Sequence, residues 1–104
     1  MYFHVIFLRF NAAVGAPQAD AAMRGLGDLR AHIPEVLSYR FGRNDPANPH
    51  HRDFSHAFVM GFAGRRERDL YQRHPLHLSY IETRLEPLLA DSVVLDFDDM
   101  GGAP

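Results

Sequence analysis

Residues Tyr2–Phe10 alternate, and both halves of the alternation are apolar. Tyr2, His4, Ile6, Leu8 and Phe10 fall on one side, and Phe3, Val5, Phe7 and Arg9 on the other. A period of two predicts a strand, and two apolar sides predict a strand covered on both faces. In a chain of 104 residues, one domain in length, that is a severe demand. A single sheet with helices on one side leaves its other side bare.

The rest of the chain supplies helices for one side only. Pro17 opens a helix in which Ala22, Met23, Leu26, Leu29, Arg30 and Ile33 fall at helical spacing, and Pro34 stops it. Gly25 and Gly27 weaken that helix but let it pack closely on a sheet. Residues 36–42 read as a second strand, 43–53 as a polar loop and 54–62 as a third strand carrying His56, Phe58, Met60 and Phe62 on one side. A short helix is expected over Arg65–Arg73 and another over 76–89, with Leu78, Ile81, Leu85 and Leu88 or Leu89 inward. Residues 92–98 form the last strand. The domain is expected to span 1–99, with 100–104 a flexible tail. The order β-α-β-β-α-β is the ferredoxin-like α+β arrangement, whose antiparallel sheet runs 4-1-3-2. Its uncovered face, with Phe3, Val5, Phe7, Ala57 and Val59, predicts a homodimer packed sheet on sheet.

Composition excludes several chemistries. All 11 basic residues are Arg, so no lysine is present to form a Schiff base or act as general base. There is no Cys for a thiol nucleophile, disulfide or thiolate metal site. A net charge of -2 argues against nucleic acid, and no apolar run reaches membrane-spanning length. The apolar start is too short for a secretion signal, and a cytoplasmic protein is expected.

Acid/base capacity concentrates in LYQRHPLHLSYI, residues 70–81. Pro75 breaks a helix there and suits the first position of the next, making a corner that can turn a side chain inward. Tyr71, His74, His77 and Tyr80 lie within ten positions. Antiparallel pairing of the first and last strands sets Asp96 beside His4, while simple register sets His56 opposite Leu8, well away from His4. The helix-side residues Ile6, Leu8, Met23, Phe58, Met60, Leu70 and Val94 have two readings: a filled core, or a pocket ending at Tyr71 and His77. His50 and His51 read as solvated loop residues, and Arg65, Arg66 and Arg68 as a solvated helix face. No metal site is expected.

These segments together resemble the stress-responsive A/B barrel family: the opening strand with His4, IPEVLSYRFGRN, FSHAFVMGF, the YQRHPLH corner and the closing VVLDF. The resemblance implies a ferredoxin-like monomer that pairs sheet to sheet into a dimeric α/β barrel. Some members are stress proteins without an assigned reaction, and one is a cofactor-independent polyketide cyclase. By motif, that cyclase's catalytic tyrosine and histidine fall on Tyr71 and His77, and its strand histidines on His4 and His56. His77 would then act as a base and Tyr71 as an oxyanion donor, without a cofactor, on a small apolar or aromatic carbonyl compound. Asp96 is expected either to orient His77 or to satisfy a buried His4. Two alternatives stand beside this reading: a non-enzymatic stress or structural protein acting through its assembly, and a monooxygenase-like relative on the same scaffold.

Overall fold

Strand β1 (Tyr2–Phe10) lies inside the sheet, paired on both edges. The computed structural model describes residues 1–102; the tail expected over 100–104 lies partly outside the described residues. Helix α1 (Ala16–Asp28) begins with Pro17 in its first turn and ends in a 3-10 turn, Leu29–Ala31. Strands β2 (Ser38–Arg43) and β3 (His56–Phe62) flank the polar loop. Helices α2 (Arg65–Arg73) and α3 (Pro75–Tyr80) meet at the corner, and β4 (Leu89–Asp98) closes the sheet. The order β2-β3-β1-β4, antiparallel throughout, is the ferredoxin-like arrangement expected.

The core lies between helices and sheet. Even-numbered residues of β1 and β3 face it, so Tyr2, Leu8, Phe58, Met60 and Phe62 are buried against Ala22, Met23, Leu26, Tyr71 and Leu85. Close approach is built from glycine: a Cβ at Gly27 would strike the Tyr39 ring of β2, and one at Gly25 the Tyr80 hydroxyl. Tyr39 then donates to the Met23 carbonyl at 2.7 Å and Tyr80 to the Ala22 carbonyl at 2.6 Å, pinning α1 from both sides. Arg30 departs from its expected inward position and is exposed, because the helix tightens to 3-10 geometry at Leu29.

The helix expected over 76–89 is three pieces. After α3 the chain widens into a π-helical turn, Ile81–Leu85, then tightens into a 3-10 turn, Glu86–Leu88, around Pro87. The inward face follows His77, Ile81 and Leu85 at steps of four. Leu78, expected inside, is therefore turned out and 54% exposed. Among the described residues no helix lies over the opposite sheet face: Phe7, Val59, Val93, Leu95 and Phe97 are all exposed.

Candidate functional site

The corner is shaped by hydrogen bonds that the break at Pro75 redirects. His74 caps α3, its Nδ1 accepting from the Leu76 amide at 3.1 Å. That amide would otherwise have served the Gln72 carbonyl, four residues back. His77 takes the vacated place: its Nδ1–H donates to the Gln72 carbonyl at 3.1 Å. The neutral ring so fixed carries its lone pair on Nε2. Burial holds the His77 pKa below its ordinary value, and nearby His4 and His74 push the same way against the Gln72 bond. At neutral pH, His77 is an uncharged base.

Tyr71, buried in the last turn of α2, packs its ring 4.3 Å from His77 and 5.5 Å from Phe62, centroid to centroid. Burial raises its pKa, so the phenol stays protonated and able to donate. His4 lies 6.5 Å from Tyr71, ring edge toward ring, completing a cluster of three.

Asp96 belongs to His4. The register of β1 and β4 sets the two residues opposite each other, and His4 Nδ1 donates to Asp96 Oδ1 at 2.6 Å. The other carboxylate oxygen takes a guanidinium N–H of Arg68. Arg68 also donates to Asp69 at 2.9 Å and lies 5.0 Å above the Tyr2 ring. Asp96 therefore does not orient His77; both of its oxygens are engaged, and Gln72 does that work. Burial holds the His4 pKa below its ordinary value; Asp96 opposes this and the Arg68 charge adds to it. Arg68 is thus no solvated residue. Its position three before the inward Tyr71, on the same helix face, was the sequence signal for that burial.

His56 is buried elsewhere. It faces Leu8, four positions along β3 from the partner of His4, a separation of roughly 13 Å. Its Nε2–H donates to Asp20 at 2.9 Å, its Nδ1 accepts from the Ser55 hydroxyl at 2.9 Å, and Arg43 holds the same Asp20. These partners hold the Asp20 carboxyl far below the usual carboxylate range. The trio ties α1 to β2 and β3 and takes no part in the His77 cluster.

The apolar residues divide. Met23, Phe58 and Met60 are filled core, and Leu70 is half-buried. Ile6 and Leu8 line a groove of about 390 Å³ with Ile81, Leu85 and Leu89, rimmed by Asp91 and Ser92. Neither Tyr71 nor His77 lines this groove, so the pocket expected to end at that pair is not what the structure shows; Ile81, four residues after His77, is the lining residue nearest to it in the chain. Val94, expected in the pocket wall, is 54% exposed because β4 is an edge strand beyond the reach of α3. Among the described residues no group of three or more His, Cys, Asp or Glu is placed to hold a metal, and no helix is long and apolar enough to cross a membrane.

Several solved structures share this fold. An Arabidopsis thaliana crystal structure superposes with a TM-score of 0.90 at 19% identity, covering 100% of each chain. A hydroxynitrile lyase from Passiflora edulis gives 0.88 at 22% identity, covering 99% of this chain and 96% of that one. At these identities the likeness is one of fold. A dimeric ferredoxin-like protein of unknown function from Thermobifida fusca gives 0.77 at 29% identity, covering 92% of this chain and 88% of that one. Curated proteins give no match. The stress responsive A/B barrel domain model matches residues 3–99, spanning both strand pairs and the whole corner, and the chain belongs to that family.

Proposed function

We propose that the protein is a homodimer that performs cofactor-independent acid/base chemistry on a small apolar or aromatic carbonyl compound. The observation that carries this reading is the His77 tautomer: Nδ1–H spent on Gln72, Nε2 free, and Tyr71 packed 4.3 Å away. His77 Nε2 removes a proton from the carbon beside the carbonyl, and the electron pair moves onto the carbonyl oxygen. The Tyr71 hydroxyl donates a hydrogen bond to the oxyanion that forms, as a preorganised donor does. The imidazolium then returns its proton to product. The apolar groove from Ile6 to Leu85 receives the substrate's body. The exposed apolar sheet face supports assembly with a second copy, and the Thermobifida fusca protein of this fold is dimeric.

Deuterium exchange into butyrophenone beside its carbonyl, followed by proton NMR in D2O, tests the chemistry. Exchange should exceed that in imidazole buffer at the same pH. His77→Ala should lower it by about 100-fold or more, the usual contribution of a positioned general base, with Tyr71→Phe lowering it in the same direction. Exchange no faster than buffer, or unchanged in His77→Ala, refutes the reading and favours a non-enzymatic protein acting through its assembly.

A further inference from the structure

A larger cavity, about 570 Å³, opens under the β2–β3 loop, where Phe7 of β1 pairs with Ala57 of β3. Its size is that of a small-ligand site. Phe7, Phe54 and Ala57 give it an apolar floor, the two rings tilted 54° with centroids 6.2 Å apart. Arg52, His51 and Asn48 are among its polar walls.

The loop holds this shape by its own hydrogen bonds. The Asn44 amide donates to the Ser55 carbonyl at 2.8 Å and its side chain to the Phe54 carbonyl at 2.7 Å. Asp45 Oδ1 accepts from the Ala47 amide, Asn48 Oδ1 from His50, and His51 Nδ1 from Asp53, each at 2.9 Å. The last three bonds use side-chain acceptors and spare side-chain donors. His51 presents Nε2–H, Asn48 keeps its NH2, and Arg52 has no ion-pair partner among the described residues. Asp45 is the one carboxylate in the lining, against the guanidinium groups of Arg43 and Arg52, the first already paired with Asp20.

Backbone strain marks the same place. Arg52 and Asp53 are consecutive non-glycine residues in the left-handed region, at φ 53° and 64°. Each is a conformation that a residue with a Cβ adopts at some strain. They are the central pair of a type I′ turn, the Phe54 amide donating to the His51 carbonyl at 3.0 Å, and that turn sets Arg52 in the cavity lining.

We propose that this cavity is a second ligand site, separate from His77, that takes a small aromatic carboxylate. The ring lies on Phe7 and Phe54, and the carboxylate accepts from the Arg52 guanidinium, whose planar fork matches it. Phe7 also belongs to the open sheet face, so the site lies at the rim of whatever covers that face.

The test is a titration of the native protein with benzoate, followed by amide and histidine ring NMR. Benzoate should move amides between 42 and 57 saturably at millimolar concentration and leave the His77 ring unmoved. Neutral benzamide, of the same shape, should bind about tenfold more weakly or worse, the loss expected when a charge-assisted pair is removed. Arg52→Asn keeps a residue that tolerates the left-handed backbone and should weaken benzoate by a similar factor. Benzamide binding as well as benzoate, Arg52→Asn binding like the wild type, or shifts confined to the His77 groove would each overturn the proposal. So would no saturable shift in the wild type.

Discussion

His4 is buried and His77 half-buried, and the charge of each imidazole is disfavoured, but they are held for different ends. His4 is locked by Asp96 and Arg68, a relay that leaves little freedom. His77 is held only at Nδ1, by a backbone carbonyl, and keeps the other nitrogen free. The pKa of each lies below the ordinary 6.5. Between the folded value and 6.5 the unfolded chain binds more protons than the folded one, so stability rises with pH in that window. The contribution is complete above 6.5 and is lost as pH falls through the folded values. Urea denaturation from about pH 7 to about pH 5 should show that loss, and His77→Gln should flatten it. An unchanged slope in His77→Gln would place the titration elsewhere. At this scale the sequence was legible where register or motif spoke, as for His4 beside Asp96. The His77 partner was not, because a backbone carbonyl freed by a helix break carries no side-chain signature.

Secondary structure was legible wherever punctuation was strong. Pro75 fixed the corner, and α2 spans Arg65–Arg73 as its pattern predicted. The following helix was misread because periodicity averages over a window and does not register one wider turn at Ile81–Leu85. The glycines of α1 show local preference yielding to packing. Alanine favours a helix interior over glycine by about 1 kcal/mol, yet a methyl at position 27 meets the Tyr39 ring. Gly27→Ala should therefore destabilise the protein by about 1–3 kcal/mol, the usual cost of overpacking, read as a lower urea midpoint at unchanged slope. Stabilisation by Gly27→Ala would mean that α1 stands further from β2 than described.

For the whole molecule, the decisive fact is a sheet with helices on one face. β1 announced this through its two apolar sides, and the open face carries Phe7, Val59, Val93, Leu95 and Phe97 to solvent. A patch of that kind is covered in a stable protein. Leu95→Asp puts a charge among these residues without touching the helix-side core. Sedimentation equilibrium should give twice the chain mass for the wild type and the single-chain mass for Leu95→Asp. A wild-type monomer, or a Leu95→Asp variant that still pairs, would contradict dimerisation through this face.

The central claim is that His77 presents an unprotonated Nε2 at neutral pH, and long-range 1H–15N NMR of its imidazole ring reads this directly. The account predicts a neutral ring protonated on Nδ1 and a titration below 6.5, with the Nε2 signal shifting when butyrophenone is added. A ring protonated on Nε2 would leave no lone pair on that nitrogen, and one titrating above 6.5 would deny that burial disfavours its charge; either result contradicts the account.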